Sequence, residues 1–246
     1  MKKILGFIVV CFCFSISVAE TIYQSQIGNA EENFKKGNFS KTIEIYESLI
    51  RIGKVKNPYI YYNLSNAYYK NGNLGKAILN IEKASRLAPR DREIKSNKEY
   101  FNTVSGQVQK KIFLDIFLQL FSLNEITTVS AVFLILLLTT LSLFIINRKS
   151  ILGRIIIVLI IVLIICISLF ILKFYNEIIL KEAVVLSASN VRNNPDENKL
   201  EIFTVPKGKI VSIISESGNW TNIKVKSNDD FLTGWIENNS IGIINE

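Results

Sequence analysis

The chain has 246 residues, of which 49% are hydrophobic, and it carries a formal net charge of +8 and no histidine. Without histidine it lacks the commonest general base and the commonest metal ligand of proteins. Its basic residues are spread along the chain and form no block with interleaved aromatic residues, so nucleic acid is not an expected partner.

The first residues, Met1–Ala19, are typical of a secretory signal peptide. Lys2 and Lys3 precede the apolar run Ile4–Val18, and small residues end the segment, which predicts cleavage before Glu20. An uncleaved anchor is the alternative, and either one delivers the following residues out of the cytoplasm. Two of the three cysteines lie in this segment, so the mature protein is expected to have no disulfide.

Residues 20–109 contain a helical repeat. The segment Phe34–Phe39 recurs as Tyr69–Leu74, each with a Gly-Asn turn, and a period of about 35 residues is typical of a helix–turn–helix solenoid. A further helix over Asp91–Val108 is predicted to cap the stack. Two repeats are fewer than the roughly three needed for stability, so this helix or a partner should complete the stack. The second copy resembles the tetratricopeptide repeat at its large, small and terminal proline positions, which are Tyr61, Leu64, Ser65, Tyr68, Gly72, Ala77, Ala84 and Pro89.

The resemblance to the tetratricopeptide repeat implies a peptide groove along the concave face of the first helices. Some members of that family hold a terminal carboxylate with Lys, Asn and Arg. Asn63 matches this set, but Glu31 stands where it requires Asn, so this specificity is not predicted. The alternative for the groove positions is ordinary solvated surface. In the second copy these candidate peptide-binding residues are Tyr62, Asn66, Tyr69 and Lys70.

Residues 110–124 lead from the repeats to the most apolar part of the chain. Lys110 and Lys111 come first, and apolar side chains then recur at helical spacing from Ile112 to Leu120. This pattern predicts an amphipathic helix lying on a membrane surface. Packing of the same stripe on the preceding helix is the alternative.

Two long apolar runs, Ile126–Ile146 and Ile155–Leu172, contain no charged residue. Each is close to the roughly 20 residues that cross a bilayer as a helix. They predict a transmembrane hairpin over residues 125–174. The alternative is a pair of core helices in a soluble protein, for which this chain is short.

The loop predicted between the two runs, residues 147–154, sets the expected orientation. It contains Arg148, Lys149 and Arg154, and short basic loops stay in the cytoplasm. The segments before and after the hairpin are therefore predicted to share the extracytoplasmic, periplasmic side.

Residues 183–246 change to short β-rich runs separated by turn residues, which predict a small all-β barrel. The order Asn190-Val191-Arg192, Pro206-Lys207-Gly208, Trp220 and Gly234-Trp235 resembles a bacterial SH3-like domain. That resemblance implies core positions for Trp220, Gly234 and Trp235, with ligand contact as the alternative for the two tryptophans. The five predicted strands are Val184–Leu186, Leu200–Val205, Ile210–Ile214, Thr221–Val225 and Thr233–Ile236.

The complete layout resembles BatE, a family of membrane proteins encoded in bacterial aerotolerance (Bat) operons. The resemblance rests on Arg86–Ile94 leading into Asn97, on Leu123-Asn124-Glu125 before the first apolar run, and on the closing Trp220 and Gly234-Trp235. It implies partnership with other Bat-type membrane proteins, which carry von Willebrand A-type domains or further repeats, and it implies a cytoplasmic MoxR-type ATPase encoded nearby.

Together these patterns predict a multidomain membrane protein with an all-α repeat, a transmembrane hairpin and an all-β SH3-like barrel. With no paired carboxylates and no glycine-rich phosphate loop, it is expected to be a non-catalytic scaffold without metal or cofactor, binding protein partners in the bacterial cytoplasmic membrane. The second hypothesis is a peptidoglycan-binding sensor or tether. Its candidate residues in the SH3-like domain are Asp229, Asp230 and Phe231, for which an ordinary turn is the alternative. A transporter is disfavoured because the two spans carry no charge.

Overall fold

The computed structural model describes residues 23–53, 56–106, 121–196, 200–227 and 230–244. Within them lie a helical repeat region, two long apolar helices and a curled antiparallel sheet, which confirms the predicted fold class. The predicted signal peptide lies outside the described residues, as do residues 110–120 of the predicted surface helix.

In the part of the repeat region that the structure describes there are five helices, and their ends follow from the local sequence. Asn57, Asn73 and Asp91 each cap the following helix, because their side-chain oxygens accept main-chain N–H groups of its first turn. Gly72 has a φ of +82°, a conformation that favours glycine and turns the chain between the two helices of the second repeat. The helices are α1 (residues 23–35), α2 (Phe39–Gly53), α3 (Pro58–Lys70), α4 (Leu74–Leu87) and α5 (Arg92–Val104).

Small residues let α3 and α4 pack closely. Ala67 on α3 and Ala77 and Ala84 on α4 are fully buried, so large neighbours can fill the remaining space without voids. Thr42, which stands in the first copy where alanine is usual, is also buried. Its hydroxyl donates to the main-chain oxygens of Ala30 at 3.3 Å and Asn38 at 3.1 Å, so the polar group is satisfied.

The two long apolar helices are α6 (Leu123–Asn147) and α7 (Ser150–Phe174), of 25 residues each. Ser122 and Glu125 form a capping box at the start of α6. The chain reverses through Arg148, which has a φ of 45°. The predicted loop 147–154 is therefore mostly helical in the structure, because α7 already begins at Ser150.

The C-terminal part is a seven-stranded antiparallel sheet within the described residues, in the order β3-β2-β6-β5-β4-β1-β7. Its apolar core contains residues such as Val191, Ile223 and Ile236. The strands are β1 (Glu182–Val185), β2 (Ser189–Arg192), β3 (Glu201–Val205), β4 (Ile210–Ser217), β5 (Trp220–Ser227), β6 (Asp230–Glu237) and β7 (Ile241–Ile243).

Two of these strands, β2 and β7, are not among the five predicted from the sequence. Val191 is the only apolar residue of β2, and β7 has only three residues with a central glycine, so neither gives a clear alternation of apolar and polar residues. Their strand conformation comes from pairing with β3 and β1. The first predicted strand, Val184–Leu186, begins earlier in the structure, at Glu182.

The sheet packs directly against the repeat region, and this contact of α4 with β1 and β7 is called the α4–β1 seam. β1 is buried on both faces: Ala183 and Val185 belong to the core of the sheet, whereas Val184 belongs to the apolar cluster of the helices. A Cβ atom on Gly75 of α4 would overlap the main chain of Leu186. The two parts therefore fit together at a distance that only glycine allows at this position.

Candidate functional site

A pocket of about 180 Å³ lies between the first three helices of the repeat region. The ring of Phe34 and the buried Tyr46 provide apolar and aromatic surface, and charged and amide groups complete the lining. An aromatic floor with a polar wall suits one side chain of a bound peptide. The lining residues are Glu31, Phe34, Lys35, Tyr46, Asn63 and Asn66.

The two asparagines on α3 have unused hydrogen-bonding groups. Asn63 and Asn66 are three residues apart, so they share one side of the helix. Asn63 Nδ2 donates to the Tyr46 hydroxyl at 3.3 Å, and Asn66 Oδ1 accepts from Asn97 Nδ2 at 2.8 Å. Among the described residues, the Asn63 carbonyl oxygen and the Asn66 amide hydrogens have no partner, so they can pair with the main chain of an extended peptide.

Tyr46 remains a neutral hydroxyl in this pocket. Burial raises its pKa above the ordinary value, and the charge of Glu31 raises it further, whereas the hydrogen bond from Asn63 lowers it. The same Glu31 charge disfavours a bound carboxylate at this point, in agreement with the sequence argument against a terminal-carboxylate site.

Helix α5 contacts α3 next to the pocket residue Asn66. The Tyr69 hydroxyl lies 2.7 Å from that of Tyr100, and the Tyr69 ring lies 4.9 Å from the ring of Phe101, centroid to centroid. Asn97 extends the same contact through its hydrogen bond to Asn66. These contacts join α3 and α5 along the groove.

The four groove residues predicted from sequence have different surroundings. Asn66 lines the pocket. Tyr69 packs on α5, Tyr62 is partly buried against the helical core, and Lys70 is exposed in the last turn of α3. Phe34, Lys35 and Tyr46 were not predicted, because they come from the degenerate first copy, whose register the repeat pattern defines poorly.

The predicted structural residues of the second repeat lie at helix contacts and turns. Gly72 is in the turn before α4, and Pro89 follows α4 in the turn that leads to α5. Tyr61 is partly buried against the helical core. The members that are buried are Leu64, Ser65, Tyr68, Ala77 and Ala84.

In the sheet, the two tryptophans lie on the face of β5 and β6 that carries Asn222. Trp220 is 8% exposed, and the Arg192 guanidinium lies 5.5 Å from the centre of its ring. Gly234 is buried, and a Cβ atom there would lie 2.5 Å from a methyl group of Val191. Trp220 is thus buried outside the aliphatic core cluster, where Ile223 and its neighbours pack.

The basic residues predicted to orient the hairpin lie at its turn. Arg148 and Lys149 connect the two helices, and Arg154 is exposed in the first turns of α7. Both helices are long and apolar enough to cross a membrane by length and composition alone. None of the side chains in the most apolar part of either helix is buried in the protein.

Comparison with known families agrees with this architecture. The family model of the tetratricopeptide repeat matches residues 58–91, and that of the bacterial SH3 domain matches residues 187–241. Neither match covers half of the chain. No curated protein matches this chain.

The fold and the two matches thus define the class: a chain that combines a tetratricopeptide repeat with a bacterial SH3 domain and carries two long apolar helices between them. Domains of these two kinds typically bind other molecules and do not catalyse reactions. Protein–protein interaction is therefore the function that the domains support, and peptidoglycan is a further possible ligand for the SH3 domain.

Proposed function

We propose that this protein is a non-catalytic scaffold, anchored in the bacterial cytoplasmic membrane by α6 and α7, that presents its repeat and SH3-like domains to protein partners outside the cytoplasm. The observation that carries the proposal is the open pocket beside Asn63 and Asn66. Among the described residues, the Asn63 carbonyl oxygen and the Asn66 amide hydrogens have no partner, which suits an extended peptide. Two binding modules on one anchor raise each other's effective concentration at a shared partner.

The orientation is supported by the loop charges and by the α4–β1 seam. Because α4 contacts β1 and β7, the domains before and after the helix pair belong on the same side of a membrane. The basic residues Arg148 and Lys149 favour a cytoplasmic turn. Both domains are then extracytoplasmic.

The resemblance to BatE extends the proposal to particular partners. We propose that the pocket holds a segment of another Bat-type membrane protein, such as one with a von Willebrand A-type domain. The support for this step is the sequence resemblance at the junctions between the domains, Arg86–Ile94 and Leu123–Glu125.

Crosslinking followed by affinity purification of the full chain tests the groove. The variant Asn63→Ala with Asn66→Ala removes two peptide hydrogen bonds and is expected to lower recovery of Bat-type proteins roughly tenfold. The matched control changes Asn29 and Asn33 to Ala, because these asparagines are also about one turn apart but bond to each other, to the main chain and to the Asn38 side chain, and neither lines the pocket. Equal recovery with both variants contradicts a role for the pocket.

Cysteine labelling tests the orientation. In a chain whose native cysteines are serine, Ser40→Cys and Glu216→Cys place thiols at exposed sites of the two domains. A membrane-impermeant maleimide is expected to label both in intact spheroplasts, and to label Arg148→Cys only after permeabilisation. Labelling of position 148 from outside overturns the proposed topology.

A second candidate function, binding of peptidoglycan, is favoured by one feature of the sheet. Phe231 is exposed, and the Lys224 ammonium lies 4.2 Å from the centre of its ring. Such a cation–aromatic pair at the β5–β6 hairpin suits an anionic and apolar surface. Asp230 begins β6 beside it, whereas Asp229 lies outside the described residues.

Co-sedimentation of the full chain with purified sacculi tests this alternative. Phe231→Ala is expected to reduce sedimentation if the hairpin contacts the cell wall. The control is Ile202→Ala, an exposed apolar residue on β3. Sedimentation that is absent in the wild type, or equal in both variants, speaks against the peptidoglycan function.

A further inference from the structure

The α4–β1 seam carries a network of charges that links three structural elements. Arg86 on α4 contacts Glu182 on β1 at 2.5 Å, and Lys98 on α5 contacts Glu82 on α4 at 2.7 Å. The Glu82 side chain is only 6% exposed, and among the described residues its second oxygen has no hydrogen-bond partner. A buried carboxylate is costly without a paired cation, and Lys98 provides one for Glu82.

The two ion pairs also act on each other. Burial raises the pKa of Glu182 and the Glu82 charge adds to this, whereas Arg86 and Lys98 lower it. Glu182 and Glu82 are therefore like charges that need both cations to stay together. The charge network therefore contains residues of both the repeat region and the sheet.

Helix α5 connects this network to the groove. Lys98, which pairs with Glu82, is adjacent in sequence to Asn97, which donates to Asn66 in the pocket. Two residues further on, Tyr100 contacts Tyr69. One short helix thus has ionic contacts on one side and contacts with α3 beside the pocket on the other.

We propose that the SH3-like domain acts in cis as a clasp that completes the two-repeat stack and sets the position of α5, so that the shape of the groove depends on docking at the α4–β1 seam. The sheet provides the third layer that a stack of two repeats lacks. Because α5 is a rigid helix, movement at Lys98 displaces Asn97 and Tyr100 with it. When the sheet undocks, α5 is held less firmly and the groove beside it becomes less ordered. The sheet has this effect without touching a ligand.

Hydrogen–deuterium exchange of the detergent-solubilised full chain tests this coupling. Glu182→Arg places a second guanidinium opposite that of Arg86 and is expected to open the seam. We expect amides of β1 and of α5 to exchange roughly tenfold faster in this variant. The double variant Arg86→Glu with Glu182→Arg restores an ion pair and should return both regions toward the wild-type rates.

The control is Glu216→Arg. Glu216 lies in the same sheet and pairs with Lys181 in an exposed ion pair, so its reversal should leave α5 unchanged. Faster exchange in β1 alone, with α5 at the wild-type rate, overturns the coupling. Unchanged exchange at the seam overturns the clasp itself. The measurement uses no ligand, so a failure of the groove to bind peptides does not decide it.

Discussion

The helix pairs α3–α4 and α6–α7 are both helical hairpins, but they differ in which residues they expose. In α3 and α4 most of the buried residues are apolar and lie on one side of the helix, although Gly75, Asn80 and Glu82 of α4 are buried too. In α6 and α7 apolar residues surround both helices, and most of them are exposed. The difference is the one expected if neighbouring protein covers the first pair and, as proposed, the apolar interior of a membrane surrounds the second.

The largest expected effect is on the free energy of unfolding, when leucine is changed to alanine in each helix pair. Leu64→Ala on α3 empties a buried site and should lower the free energy of unfolding by about 3 kcal/mol. Leu138→Ala on α6, at a residue that is 55% exposed, should change it by less than about 0.5 kcal/mol. Urea unfolding in detergent, followed by circular dichroism, measures both. Equal losses would show that α6 packs in a protein interior.

Helix caps give a smaller effect that sharpens the comparison. Asp91→Ala removes the acceptor for two main-chain N–H groups of α5 and should cost about 1 kcal/mol of stability. Ser122→Ala removes the corresponding cap of α6. If α6 lies in a membrane as proposed, its apolar surroundings require a helix, so the helix content should stay unchanged. Asp91→Asn retains a capping oxygen and serves as the control. If Asp91→Asn is as unstable as Asp91→Ala, the cap is not the cause.

The smallest effect concerns pH at the α4–β1 seam. Burial raises the pKa of Glu182, so its contribution to stability is fully present below its unfolded pKa and is lost as the pH rises through the folded value. Glutamine does not ionise, so Glu182→Gln does not lose this stability as the pH rises. The stability of the variant relative to wild type should therefore increase from pH 4 to pH 7 in urea titrations. A relative decrease would show that the charge of Glu182 is favourable beside Arg86.

Residue patterns predicted the classes of element well, because each has a local physical cause. The apolar length of α6 and α7, the Gly72 turn and the β-rich runs after Ala183 are all readable along the chain. The strands β2 and β7 were missed, since their conformation comes from pairing with distant strands. Of the four residues predicted to bind a peptide, Asn66 lines the pocket, whereas its neighbours Phe34 and Tyr46 come from a helix pair with a weak repeat pattern. Peptide binding by these residues stays a prediction.

The sequence by itself determined the order of the domains and the apolar character of the helix pair, because both depend on periodicity and composition within short segments. Only the tertiary structure decided that the sheet packs on α4 and that Glu182 and Arg86 meet across the seam. These residues are far apart in the chain, and no local pattern relates them. Their contact requires that the main chain of Leu186 lie close to Gly75 of α4. This requirement can be seen only in the assembled structure.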